Sequence, residues 1–244
     1  MNRTRNGIAL LLLLTIGLAG CEGSAWGEND ATGGAAGDDD EDYDDGGADL
    51  DGDADSDGDT DSDPPEEEEE VDYRAETLYA VGYAQHNAGE LDEAALTYAQ
   101  ALEQRPDYVE LLNQYALLRS QQRRNFEAID LWTRATQLEP GNLTVRLNLG
   151  RMYASLEQHT EALEQYEAAT GIDSSNADAW IGGGFALLGI GRLEEGVARL
   201  ERGLQRDPRY ASRMPMVIDA LRGRGEFDLA DRLEAAFTRA GGRG

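Results

Sequence analysis

From residue 91 onward, small and large apolar positions recur at a fixed interval. Ala94, Ala128, Ala162, Gly196 and Ala230 stand 34 residues apart. Four residues further on come Tyr98, Trp132, Tyr166 and Leu200, then Ala101, Ala135, Ala169 and Gly203, and after these Pro106, Pro140 and Pro208. A second stripe precedes each set: Leu78, Val81 and Gly82; Leu112, Tyr115 and Ala116; Leu149, Gly150 and Tyr153; Trp180, Gly183 and Gly184. Spacings of three and four residues mark one face of an α-helix, so each 34-residue unit predicts two helices. Ala and Gly let the two backbones close up, and the bulky residue between them fills the adjoining gap. Proline suits the junction, because it cannot continue a helix and presets φ for the next segment.

Counting back from the prolines gives units 75–108, 109–142, 143–176 and 177–210, with a looser fifth at 211–241. The period, together with Trp180-x-x-Gly183-Gly184, Leu149-Gly150-x-x-Tyr153 and Ala162-x-x-x-Tyr166, resembles the tetratricopeptide repeat over residues 72–241. That resemblance implies an all-α, right-handed solenoid in which each helix pair buries its neighbour. Several positions depart from the pattern: Ser174 stands where proline is expected, Arg146 where Trp is expected, and Gly196 and Gly203 where Ala is usual. Glycine costs a helix interior up to about 1 kcal/mol relative to Ala, which makes unit four an expected soft spot. Glu234 takes a bulky apolar position in unit five, as befits a terminal capping element.

The resemblance also implies a concave groove lined by the first helix of each pair. At the lining places this chain has Tyr79, Tyr83, Leu117, Leu147, Ile181 and Phe185, an expected apolar and partly aromatic track, with Asn113 and Arg151 as polar anchors. Such a groove would hold a protein segment, since aromatic side chains with few rotamers give contact area at low entropic cost. Packing between repeats is the competing use of the same residues. Relatives that grip a terminal carboxylate do so with Lys in the groove, and this chain has no Lys.

The amino-terminal end reads differently. Arg3 and Arg5 precede an apolar run from Ile8 to Gly20. That run falls short of the roughly 20 residues a membrane-spanning helix needs, so residues 1–20 read as a secretion signal. Leu18-Ala19-Gly20-Cys21 resembles the bacterial lipobox, which implies a diacylglyceryl thioether on Cys21 and tethering to a membrane. Cys21 is the sole cysteine, so an intramolecular disulfide is excluded. Glu22 comes next in place of the Asp associated with inner-membrane retention, which favours the outer membrane facing the periplasm; display at the cell surface stays open.

Between anchor and repeats, residues 22–70 hold 23 acidic side chains and no Lys or Arg. This composition buries too little apolar surface to offset chain entropy and predicts a disordered, self-repelling linker over 21–71. Within it Asp53, Asp55, Asp57 and Asp59 begin a calcium-loop pattern that fails at Pro64, so no dedicated metal site is expected and weak condensation of divalent cations is the most the pattern implies.

The formal net charge of −28 comes mostly from this segment. Its field repels nucleic-acid phosphates and excludes that partner class. Residues 177–244 are close to neutral yet dense in Arg, including Arg199, Arg202, Arg206, Arg209 and Arg213. These either pair locally with Glu195, Glu201 and Asp207 or receive an acidic partner, the chain's own linker among the candidates. His86 and His159 are the only histidines, at different places of their units, and no phosphate loop or nucleophile constellation is present. No catalytic residue, cofactor or enzymatic activity is expected. The sequence thus predicts a membrane-tethered protein-binding adaptor of the cell envelope, with a role in assembly of an envelope or pilus-type complex. The alternative is a surface spacer whose acidic segment condenses cations such as calcium.

Overall fold

A computed structural model describes the backbone of residues 66–242 and the side chains of 73–242. The expected signal segment, Cys21, most of the acidic linker and the partial calcium pattern at Asp53, Asp55, Asp57 and Asp59 lie outside the described residues. The described residues form ten α-helices in order: α1 (Glu66–Asn87), α2 (Leu91–Gln104), α3 (Val109–Gln121), α4 (Asn125–Leu138), α5 (Leu143–Ser155), α6 (His159–Ile172), α7 (Ala177–Gly189), α8 (Leu193–Arg206), α9 (Met214–Gly223) and α10 (Phe227–Arg239). A 3-10 helix, Pro208–Arg213, precedes α9. The described residues contain no strand, and the helices stack pair by pair as an all-α solenoid.

Both turn types repeat with the sequence. Each first helix ends in a residue with positive φ: Gly89, Arg123, Glu157, Gly191 and Gly225, again 34 residues apart. The next residue's N–H returns to a carbonyl five back (Glu90 to Gln85, Arg124 to Arg119, Gln158 to Tyr153, Arg192 to Leu187, Glu226 to Leu221) at 2.9–3.0 Å. This is the Schellman closure, which satisfies orphan carbonyls and turns the chain back on itself. Each second helix of the first four units ends on an extended residue, Arg105, Glu139, Asp173 or Asp207, three of them followed by proline. Asp173 lacks that proline. Its carboxylate instead accepts from the Ser175 backbone N–H at 2.8 Å and hydroxyl at 2.6 Å, fixing the turn by hydrogen bonds.

Within a pair, a small residue of the first helix faces a large one of the second. A Cβ on Gly82 would sit 2.6 Å from the Tyr98 ring, one on Gly150 3.1 Å from Tyr166, and one on Gly184 2.8 Å from Leu200. In unit four the approach is closer still, because a Cβ on Gly196 would lie 2.8 Å from Leu188 and 3.0 Å from the Gly184 carbonyl oxygen. The glycines that propensity alone marks as soft spots are therefore where two backbones come nearest.

Between pairs, one face of each first helix packs on the preceding hairpin. Leu111, Tyr115 and Leu118 join Ala94, Tyr98 and Ala101; Val145, Leu149 and Met152 join Ala128, Trp132 and Ala135; Ala179 and Ala186 join Ala162, Tyr166 and Ala169. The corresponding face of α1 meets no earlier hairpin among the described residues. Val81 is consequently 46% exposed, although its sequence stripe marks it as a core position. At the other end the fifth unit departs from the pattern. The 3-10 segment replaces the start of its first helix, and α10 packs on α8 as well as on α9. Glu234 there meets Arg222 at 2.6 Å, which satisfies the polar residue at a place that is apolar in the other units.

Candidate protein-binding groove

The first helices carry the expected groove residues, and α1 touches α3 as α5 touches α7. The structure separates those residues into two sets. Tyr79 and Leu117 are half-buried, Tyr83 is 44% exposed and Arg151 is exposed. Asn113, Leu147, Ile181 and Phe185 are buried, at 5, 7, 2 and 6% exposure.

The continuous apolar track expected from register is thus corrected to a shorter surface over units one to three. The physical reason is packing. Leu147 belongs to the core cluster of Ala162 and Tyr166, whereas Ile181 and Phe185 join Met214, Val217 and Ile218 beneath the fifth unit. In the same register Tyr83, Leu117 and Arg151 have no such cover.

Asn113, expected as a ligand anchor, is occupied within the protein. Its Oδ1 accepts from the Trp132 indole N–H at 2.9 Å and from Asn148 Nδ2 at 3.0 Å. Asn148 Oδ1 accepts from Arg151 at 3.2 Å, Arg151 pairs with Asp178 at 2.8 Å, and the Tyr210 hydroxyl donates to the same carboxylate. Trp132, Asn113, Asn148, Arg151, Asp178 and Tyr210 therefore form one hydrogen-bonded relay, from unit two to the 3-10 helix that leads into unit five. Register alone does not point to Asn148, Asp178 and Tyr210, because the partners are 35, 27 and 32 residues apart and share no single period. Arg151 belongs to the relay while its side chain stays 44% exposed at the surface.

Units one and two supply an aromatic cluster. The Tyr79 ring lies 6.2 Å from Tyr83, 6.3 Å from Tyr98 and 5.3 Å from Tyr108, and Tyr98 lies 5.8 Å from Tyr115. Burial, aided at Tyr79 by the Glu110 carboxylate, holds the Tyr79 and Tyr98 hydroxyls well above the usual phenol range. They stay protonated, the Tyr79 hydroxyl engaged with Glu110 and the Tyr98 hydroxyl enclosed in the core. His86 Nε2 meets Gln121 Oε1 at 2.9 Å, bridging units one and two along the same surface. Exposed tyrosine faces, an aliphatic side chain and one guanidinium suit contact with an apolar peptide segment flanked by a carboxylate.

Among the described residues, no group of three or more His, Cys, Asp or Glu is placed to hold a metal ion. No helix among them is long and apolar enough to cross a membrane.

Comparison with known proteins agrees with this architecture. A tetratricopeptide repeat model matches residues 75–108, and a TPR repeat model matches residues 150–191. No curated protein matches the chain. Among solved structures, a crystal structure of MamA is similar at 18% identity and TM-score 0.59, covering 66% of this chain and 94% of that one. A MamA from Desulfovibrio magneticus RS-1, spanning residue 41 to its end, is similar at 16% identity and TM-score 0.61, covering 68% and 94%. YrrB, described as a TPR protein with an unusual peptide-binding site, is similar at 19% identity and TM-score 0.60, covering 70% and 89%. At these identities the likeness is one of fold: residues 66–242 form a solenoid of tetratricopeptide-type helix pairs.

Proposed function

We propose that the protein is a non-catalytic protein-binding scaffold whose groove over units one to three takes a peptide segment of a partner. The observation that carries this reading is the exposure of Tyr83, beside half-buried Tyr79 and Leu117, at a register where unit four buries Phe185. A large aromatic left open at a groove position is contact area awaiting a surface. The peptide-binding site described for YrrB supports the same use of this fold.

The lipobox-like Leu18-Ala19-Gly20-Cys21 adds a second part to the proposal: acylation of Cys21 holds the scaffold at a membrane of the cell envelope, the outer membrane by the identity of Glu22. Participation in assembly of an envelope or pilus-type complex rests on that architecture alone.

A photo-crosslinking residue placed at Tyr83, in the full chain in its native envelope, tests the groove. A control at Leu96, which is 68% exposed on α2, reports non-specific contact. A protein adduct at Tyr83 that is absent at Leu96 and lost with Leu117→Glu is the expected result. No adduct, or equal adducts at both places, overturns it. The anchor is tested separately by metabolic labelling with a fatty acid, which Cys21→Ser should abolish.

A further inference from the structure

Away from the groove residues Tyr79, Tyr83, Leu117 and Arg151, α8 gathers three cations around one aromatic ring. The guanidinium carbons of Arg199, Arg202 and Arg206 lie 5.8, 5.1 and 4.7 Å from the centroid of Trp180. The indole is pinned by its N–H, which donates to the Ser174 carbonyl at 2.9 Å. The same carbonyl accepts from Arg206 Nε at 2.7 Å, and another Arg206 nitrogen donates to the Arg202 carbonyl at 3.0 Å.

Only one of the three has a carboxylate: Arg199 meets Glu167 at 2.5 Å. Among the described residues, neither Arg202 nor Arg206 has a carboxylate at ion-pair distance. Asp173 is near enough to feel Arg206, but its carboxylate already accepts from the Ser175 N–H and hydroxyl. The ring face offsets part of the repulsion among the guanidinium groups; Arg202 presents a fork shaped for a carboxylate, and Arg206 adds its charge and its remaining N–H donors beside it.

We propose that this arginine–tryptophan face is the docking surface for the chain's own acidic tract, residues 38–63. Three observations select that occupant. The tract carries 15 Asp and Glu and no Arg or Lys, so it is complementary to the face throughout its length. Its contour suffices: 28 residues from Asp38 to Pro65 span at most about 100 Å. Seven helix steps from α1 to α8 amount to about 70 Å at most. The tether also raises the local concentration of carboxylates to roughly millimolar, which compensates for exposed ion pairs that are individually weak. Many equivalent carboxylates can exchange on the two guanidinium groups, so the contact needs no fixed register. Salt weakens it, because both sides are exposed.

A nitroxide on Tyr43→Cys, whose 22 residues to Pro65 give it a reach of about 75 Å, in the full chain also carrying Cys21→Ser, tests the contact through its three indole N–H resonances, of Trp26, Trp132 and Trp180. At about 20 mM salt the Trp180 signal should lose about half its intensity or more, and at about 500 mM it should recover as the charges are screened. Trp132, buried in unit two, is the internal reference and should not change. Arg202→Gln with Arg206→Gln should abolish the effect while circular dichroism and the Trp132 resonance stay as they were. Replacing the Asp and Glu of residues 38–63 by Asn and Gln, with Tyr43→Cys kept, should do the same without touching the repeats.

An unbroadened Trp180 at low salt, or broadening that survives either set of substitutions, overturns the proposal. Mixing nitroxide-bearing chains with separately isotope-labelled chains that carry no nitroxide identifies the source. Broadening that appears in the mixture at the strength seen within one chain assigns the contact to a second copy and overturns the intramolecular assignment. The groove is not part of this measurement, so its failure leaves the partner-binding reading to its own test.

Discussion

Units one and two differ from units four and five in how they fill the same register. The first two use tyrosine: Tyr79, Tyr83, Tyr98, Tyr108 and Tyr115 form a chain of ring contacts, and Tyr83 remains 44% exposed. Unit four uses glycine and aliphatic residues, bringing Gly184 against Gly196 and Gly203 against Ile181, and unit five helps bury its Phe185 to 6%. Tyr83 and Phe185 stand at the same place of the repeat, 102 residues apart. The layer packed over each one sets its role. Phe185 is covered by the irregular fifth unit, whereas Tyr83 has no such layer over it. A groove position thus becomes a contact or a core residue according to the neighbouring unit, and register by itself does not settle which.

The largest effect expected comes from one substitution made in both places. Phe185→Glu puts an unpaired carboxylate into the core and should cost more than about 4 kcal/mol, enough to unfold the carboxy-terminal units. Tyr83→Glu, at the surface, should change stability by less than about 0.5 kcal/mol. Urea unfolding followed by circular dichroism measures both, and equal losses would erase the distinction between the two regions.

Asn113→Leu comes next. It strands the buried Trp132 N–H and removes the acceptor of Asn148, for a loss of about 2–3 kcal/mol. His86→Leu, which breaks the more exposed link to Gln121, should stay within about 0.5 kcal/mol in the same assay. Gly196→Ala is a direct contest between two effects. Helix propensity favours Ala by up to about 1 kcal/mol. The Leu188 side chain and the Gly184 carbonyl leave no room for the methyl group, and a net loss of about 1 kcal/mol is expected.

His159, in unit three between the two regions, adds a pH dependence. Its ring is buried against Gly189, neither ring nitrogen has a hydrogen-bond partner among the described residues, and burial holds its pKa below the ordinary 6.5, with Glu157 opposing only in part. Below pH 6.5 the unfolded chain takes up a proton that the folded chain resists. The stability from neutral His159 is therefore complete above that pH and declines below it. His159→Leu, matching Leu91 and Leu193 at the same place of their units, should flatten this acid limb in melting temperatures taken from pH 7.5 downward. One substitution is expected to give a gain: Glu157→Gly relieves a non-glycine residue at φ 58° and should add about 0.5–1 kcal/mol, seen as a rise in the urea midpoint.

The solenoid was legible because close packing of helix pairs imposes a strict alternation of small and large residues, and a fixed unit length repeats it. The turn column was not legible: Gly89, Gly191 and Gly225 share the 34-residue spacing, but Arg123 and Glu157 interrupt it and mask the positive-φ requirement. At the expected groove places, Tyr79, Tyr83, Leu117 and Arg151 are exposed or half-buried, whereas Asn113, Leu147, Ile181 and Phe185 are buried. Their burial depends on the 3-10 entry to unit five, on the neighbouring hairpins and on hydrogen bonds between units. None of these leaves a periodic mark.

The relay from Trp132 to Tyr210 has a mechanical meaning for any partner. Its Asn113–Asn148 and Arg151–Asp178 links cross from unit two to three and from three to four, and Tyr210 ties unit four to the 3-10 helix. Bending the superhelix at any of these boundaries would stretch a polar bond that is coupled to the others. Units two to four are therefore braced at each boundary by this relay, while His86–Gln121 is one of the polar links that join unit one to unit two. A change in the curvature of units two to four must break several polar bonds together, since each link shares a residue with the next.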